Sequence, residues 1–311
     1  LRTTSTQSLK TFSEKKEDAM YRKILVPLDG SEISEGVLPH ARFLARALEI
    51  PVELLHVIDP ALLQPNSPPV QNREYLEKIA ASFAGMTKVQ STVESGNPPG
   101  VIVDLAAAQP GSLIAMATHG YTGPRRWLMG SVAERVLDAT TNHLLLVRPA
   151  EVDHGSEAQL TTMLVPLDGS EVAERVLPTV AELATRLKLE VALLRVVKQV
   201  YTAPPEAILP LFGVNIPNLK QLWEEARIAA EQYLTDRVED LRGRGVVNVT
   251  SMALLGGADG AAAEIIDLAN HTPHNIVAMS THGESGLGRW VIGSVTQRVV
   301  RHSTGPVLVI R

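Results

Sequence analysis

LVPLDGSE stands at residues 25–32 and again at 164–171. In the first copy the apolar run Leu25–Leu28 stops at Asp29-Gly30-Ser31; in the second, Leu164–Leu167 stops at Asp168-Gly169-Ser170. Each reads as a short buried strand ending in a turn that opens a helix. The match between the halves extends beyond this octapeptide. MATHG (116–120) answers MSTHG (279–283), and GSVAERV (130–136) answers GSVTQRV (293–299). The chain is a tandem duplication, and a unit of roughly 140 residues is the size of a whole domain rather than a solenoid repeat.

Within each half, short apolar runs alternate with longer segments of helical period, the pattern of parallel strands joined by crossover helices. The fold class is α/β, each half reading βαβαβαβαβ. Strands are expected near 23–28, 52–58, 88–94, 113–117 and 144–148, and again near 162–167, 190–197, 247–254, 275–280 and 306–310. The helix over 32–49 carries Val37, Leu38, Ala41, Leu44, Ala45 and Leu48 on one stripe that would lie on the sheet. Pro39 should kink that helix or mark its effective start, and Pro178 should do the same in the helix over 171–187. Asp29 and Asp168 are 139 residues apart, as are Val57 and Val196, whereas Gly120 and Gly283 are 163 apart. The second half therefore carries about 24 extra residues, mostly YTAPPEAILPLFGVNIPN (201–218) and the polar helix after it.

The domains are expected at 20–150 and 160–311, joined by the polar linker 151–159. Residues 1–19 are polar, lack the apolar core of a secretory signal, and read as a disordered leader. With 45% hydrophobic residues the chain has the material for two cores. A net charge of -5 argues against a surface built to capture nucleic acid or anionic lipid. No apolar run approaches the ~20 residues of a membrane helix. The absence of cysteine rules out disulfides and thiolate metal sites and suits a reducing cytoplasm, the expected location.

In an open parallel sheet, ligands bind outside the carboxyl ends of the strands, where strand order reverses. The repeated motifs lie at those ends, and they converge if the first and fourth strands are neighbours, making a crevice of mononucleotide size. Gly120 and Gly130 bracket a loop leading into a helix whose first N–H groups and dipole favour an anion such as phosphate; Gly283 and Gly293 repeat the spacing. The same residues have a structural reading, because Ser131 with Glu134, and Ser294 with Gln297, each fit the capping box S-x-x-E/Q. Asp29 and Asp168 either cap the next helix and receive a loop N–H, or accept from ribose hydroxyls or an adenine amine. His119 and His282, at the end of the fourth strand, have no triad partner in recognisable order. Arg125, Arg126 and Arg289 are within reach of phosphates or are solvated surface charges.

From residue 20 to 311, twice over, these motifs resemble a tandem universal stress protein. The resemblance implies two doubly wound, flavodoxin-like five-stranded parallel sheets of strand order 3-2-1-4-5, related by a pseudo-two-fold axis. It also implies an adenine nucleotide, ATP or AMP, held by the pattern G-x2-G-x9-G-(S/T) found in the family's ATP-binding branch. The last three positions match as Gly120, Gly130, Ser131 and as Gly283, Gly293, Ser294; Ala117 and Ser280 replace the first glycine. By resemblance, Pro27, Asp29, Val57, Met116, Ala117, Gly120, Gly130, Ser131 and Val132 line the first site. Pro166, Asp168, Val196, Met279, Ser280, Gly283, Gly293, Ser294 and Val295 line the second, with Val57 and Val196 packing on adenine. Thr296, where the first half has Ala133, would add a hydroxyl near the phosphates and tighten the second site. The last strands, 144–148 and 306–310, are expected to pair antiparallel as an internal pseudo-dimer, and a homodimer of chains is left open.

Three functions compete for these motifs. The first is an adenine-nucleotide-binding regulatory protein of the stress response. The second is a slow ATPase, which needs a base or a metal; the sequence has no G-x-x-x-x-G-K-[ST] loop, and Mg2+ near Asp29 or Asp168 would rest on single carboxylates. The third is an interaction module with degenerate pockets.

Overall fold

A strand covered on both faces needs no alternation of polar and apolar residues, and β1 (Lys23–Pro27) has none: all five residues are buried. The computed structural model describes residues 20–61, 70–118, 129–148, 157–198, 219–257, 259–281 and 292–311. It divides into two units between Ala158 and Gln159.

In the first unit the chain runs β1, α1 (Glu32–Glu35), α2 (Leu38–Leu48), β2 (Val52–Ile58), α3 (Val70–Ala81), β3 (Val89–Ser95), α4 (Pro98–Ala107), β4 (Ser112–Ala117), α5 (Ser131–Ala139) and β5 (Leu144–Val147). The second runs β6 (Thr162–Pro166), α6 (Glu171–Glu174), α7 (Leu177–Leu187), β7 (Glu190–Lys198), α8 (Leu219–Gly243), β8 (Val249–Gly256), α9 (Ala261–His271), β9 (Asn275–Ser280), α10 (Ser294–His302) and β10 (Val307–Ile310). Strand order is β3-β2-β1-β4-β5 in the first unit and β8-β7-β6-β9-β10 in the second, the expected 3-2-1-4-5 in each. All these pairs are parallel. The order reverses between β1 and β4, and between β6 and β9.

The helix expected over 32–49 is two helices, α1 and α2, with Pro39 in the first turn of the second; Pro178 divides α6 from α7 in the same way. Proline costs nothing in a first turn, where its missing N–H would have had no helical partner. The apolar stripe from Val37 to Leu48 is buried throughout. Both helices end on a left-handed residue that is not glycine, Glu49 and Lys188, each at φ 56°. The extra length of the second unit appears as α8, 25 residues long against 12 for α3. The 201–218 segment lies outside the described residues.

Not all of the interior is apolar. Arg42 is 1% exposed on α2, with its guanidinium over the Phe83 ring at 5.2 Å and donating to Ser82 Oγ at 2.8 Å. His40, on the same helix, has a buried Nδ1 with no hydrogen-bond partner among the described residues. Burial pushes its imidazole down to about 4 from the ordinary 6.5. Between those two values the unfolded chain takes up a proton that the folded one refuses. Stability should therefore fall as pH drops below 6.5, by about 3 kcal/mol once pH reaches 4. Urea titrations of the native protein and of His40→Leu from pH 7 to pH 4 check this. The two should diverge steadily on acidification, and parallel curves would refute the assignment.

Candidate functional site

Pro27 and Pro166 close β1 and β6, and the next residue makes the last ladder bond: Leu28 N donates to Leu55 O at 2.8 Å, and Leu167 N to Leu194 O at 2.8 Å. The chain then turns sharply through Gly30 at φ 86° and Gly169 at φ 91°, a left-handed conformation that favours glycine. The aspartates before them are exposed, and each spends one oxygen on the turn. Asp29 Oδ1 accepts from Ser31 N at 3.0 Å and from Ser31 Oγ at 2.6 Å; Asp168 Oδ1 accepts from Ser170 N at 3.0 Å and Ser170 Oγ at 2.7 Å. The serine oxygens in turn accept from Ser34 N and Ala173 N at 3.1 Å, capping α1 and α6. Serine is thus the cap, and the aspartate orients it while facing solvent at the strand end.

On the other side of the reversal point, the chain returns from beyond β4 to the strand's own end. Gly130 N donates to Thr118 O at 2.7 Å, and in the second unit Gly293 N donates to Thr281 O at 2.7 Å. These bonds pin the starts of α5 and α10 beside the ends of β4 and β9. The N-cap positions are Gly130 and Gly293, at φ -66° ψ 146° and φ -61° ψ 143°. The capping-box expectation is corrected here. Ser131 and Ser294 are the first helical residues, one position too far in to cap, and neither cap residue has a side chain to bond the first-turn N–H groups. Those amides point out of the helix at the place where an anion is favoured.

Of the residues expected at the first site, Pro27, Met116 and Ala117 are buried, Val57, Gly130 and Val132 are half-buried, and Asp29 and Ser131 are exposed. At the second, Met279 is buried, Pro166, Val196, Ser280, Gly293 and Val295 are half-buried, and Asp168 and Ser294 are exposed. Gly120 and Gly283 lie outside the described residues, as do His119, His282, Arg125, Arg126 and Arg289. Thr296 needs a correction. It is 3% exposed and its Oγ1 donates to Ser280 O at 2.9 Å, so its one hydrogen is committed to the strand and is not offered to a phosphate. The hydroxyl ties α10 to β9 instead. Among the described residues no three His, Asp or Glu side chains converge as a metal site.

The carboxyl ends of β2 and β7 distinguish the two units, a difference that sequence reasoning did not bring out. His56 Nδ1 donates to Leu28 O at 2.9 Å, and its ring meets Tyr75 edge-on, 6.5 Å between centroids. Tyr75 donates its hydroxyl to Glu35 Oε1 at 3.0 Å, and burial with the Glu35 charge pushes the phenol well above its usual range. In the second unit Arg195 replaces His56 and lies over the Tyr233 ring at 4.5 Å, while Arg237 lies over the same ring at 5.6 Å and holds Glu174 at 2.8 Å. The signal was present in the sequence, since His56 and Arg195 directly precede Val57 and Val196 at the same offset of 139.

Comparison with known proteins bears on both units. The model of a family described as the universal stress protein family matches residues 20–148 and 160–311. A universal stress protein of Mycolicibacterium smegmatis is 22% identical over 304 residues, covering 93% of this chain and 96% of its own. One from Methanocaldococcus jannaschii is 32% identical over 147 residues, 42% of this chain and 83% of its own. The crystal structure of a universal stress protein from Archaeoglobus fulgidus covers 93% of this chain and 98% of its own at a TM-score of 0.67; at 19% identity that likeness speaks for the fold alone.

Proposed function

The chain belongs to the universal stress protein family, and from that premise we propose that it is a nucleotide-binding regulatory protein of the stress response, with ATP or AMP at the carboxyl ends of the strands of its units. The observation that carries the reading is the repeated bond from Gly130 to Thr118 and from Gly293 to Thr281. In both units it sets a helix start with no capping side chain beside the strand-order reversal, opposite an exposed aspartate. In this reading the first-turn amides of α5 and α10 receive the phosphates, Asp29 and Asp168 accept from the ribose, and Val57 and Val196 pack on adenine. Gly120, Ser131 and Val132, with Gly283, Ser294 and Val295, complete the two phosphate ends. Mg2+ would accompany ATP near Asp29 and Asp168, its charge met mainly by the phosphates. A cytoplasmic location, antiparallel pairing of the last strands and a homodimer belong to the same proposal and rest on the sequence.

The test is direct. The purified chain is denatured, and any released nucleotide is identified by chromatography and mass spectrometry with its molar ratio. One or two adenine nucleotides per chain is the expected result. No nucleotide, and no gain in melting temperature with ATP and Mg2+, would refute the reading and leave an interaction module. Saturation at ~100 times the dissociation constant would otherwise add ~2.7 kcal/mol.

A further inference from the structure

The outer edge of the second unit is a strand with nothing on it to turn a partner away. β8 stands last in its sheet, and its eight residues, VTSMALLG, include no charge and no proline. Met252 and Leu255 are 47% and 45% exposed. Edge strands are ordinarily blunted by a charge, a proline or a bulge, because their unpaired N–H and C=O groups are a template for another strand. β3, the matching edge of the first unit, has such a charge. In register it carries Thr92, Glu94 and Ser95 where β8 has Met252, Leu254 and Leu255, and Glu94 is exposed.

The backbone of β8 defines which groups are open. Val191 N donates to Asn248 O at 2.9 Å, which sets the phase of the parallel ladder. Even-numbered residues of β8 bond to β7, while Val249, Ser251, Ala253 and Leu255 turn their backbone groups outward. The fold ties off both ends of that outward row. Arg242 donates to Val249 O at 3.2 Å, and Gly257 N, just past the strand, donates to Glu264 Oε1 at 3.1 Å. Between these two bonds, the backbone groups of Ser251, Ala253 and Leu255 have no partner on the outer side among the described residues.

An open row of three residues, tied off equally far from its middle one, is complementary to itself. Turned about a two-fold axis through Ala253, a second β8 runs antiparallel to the first, with Ala253 opposite Ala253 and Ser251 opposite Leu255. Each of these pairs exchanges two N–H···O bonds, so every open group on both strands is satisfied. Met252 faces Leu254 of the other copy, apolar against apolar. Any extended segment could use the open groups, but a copy of β8 also ends its row at the same places. α8 packs over β7 and β8, so strands about 4.8 Å apart at this edge bring the two α8 to about the 8–10 Å of packed helices. The α8 stripe that shares a side with Arg242 is Glu224, Ile228, Glu231 and Thr235, by helical spacing. Ile228 is exposed, and both glutamates are held by Arg227.

We infer that β8 is a docking edge for a second copy of this chain, joined antiparallel about Ala253. One edge meeting itself about a two-fold axis closes at two chains. The inference gives a surface to the homodimer proposed above and rests on that homodimer, not on the nucleotide.

Sedimentation of the full chain over a concentration series, with and without ATP, tests this. The native chain is expected to sediment as a dimer in both conditions. Ala253→Glu and Ala253→Lys each set like charges opposite one another at the axis and should weaken the dimer about a hundredfold. An equimolar mixture of the two should dimerise again, a recovery that misfolding of either would not produce. The chain has no cysteine, so Ala253→Cys reports the same contact without a charge and decides the matter should the charged variants not fold. A short bis-maleimide should join two such chains, and should not join chains carrying Val93→Cys at the matching place on β3. A monomer at every concentration would overturn the inference together with the homodimer. A dimer that survives both charged variants, or whose Ala253→Cys form is not joined, would overturn the inference alone.

Discussion

Aspartate at both Gly130 and Gly293 should strip the chain of bound nucleotide while leaving the melting temperature of the nucleotide-free protein nearly unchanged. Both glycines have extended dihedrals open to any L-residue, φ -66° ψ 146° and φ -61° ψ 143°, so the substitution strains nothing in the backbone. At an N-cap, aspartate is favoured, because its carboxylate accepts from the second or third helical N–H and its charge suits the positive end of the helix dipole; against glycine the gain is a few tenths of a kcal/mol. The same carboxylate occupies the amides a phosphate would use and sets a negative charge beside it. A loss of at least ~100-fold in affinity is expected, about 2.7 kcal/mol. The single variants, scored by nucleotide retained through purification and by calorimetry with ATP and Mg2+, apportion the loss between the units. Retention unchanged in the double variant would place the phosphate elsewhere than at the starts of α5 and α10.

Lys23→Met should cost the first unit about 3–5 kcal/mol, among the largest single-residue effects available in it. Lys23 and Glu53 form an ion pair between β1 and β2, with side chains 10% and 8% exposed, and Thr92 on β3 donates to Glu53 Oε1 at 2.9 Å. Removing the lysine strands a carboxylate in the interior with one neutral donor left. The second unit builds the same sheet with Thr162 and Ala192 at the equivalent positions, so the architecture does not require the pair. The double variant Lys23→Met, Glu53→Met should then recover to within about 1 kcal/mol of the native protein, because replacing a whole buried pair by apolar groups is often neutral. Urea unfolding with hydrogen exchange over β1, β2 and β3 reads both variants. A cost below about 1 kcal/mol for the single change would mean that water reaches the pair.

Much of this protein is legible in its residues alone. The duplicated LVPLDGSE, the alternation of apolar runs with helical stripes, and prolines at equal offsets suffice for two α/β units and for strands placed within two residues of their observed ends. These properties are local: a buried parallel strand is apolar along its length, a turn at positive φ takes glycine, and proline sits in a first turn. Features that depend on one residue of register, or on a partner far along the chain, emerge only when the chain is packed. Ser131 and Ser294 fit a capping box in sequence, but the Gly130–Thr118 and Gly293–Thr281 bonds set the helix starts one residue earlier. Thr296 suits a phosphate by its type and position, but packing turns its hydroxyl onto Ser280 O. Lys23 and Glu53 are 30 positions apart and pair only because β1 and β2 are neighbours. Arg195 is one charge among many in the sequence. Only the fold sets its guanidinium over the Tyr233 ring, beside Arg237, which reaches Glu174 across 63 positions. Hydrogen-bond and charge partners are matters of distance in space, and only the fold supplies them.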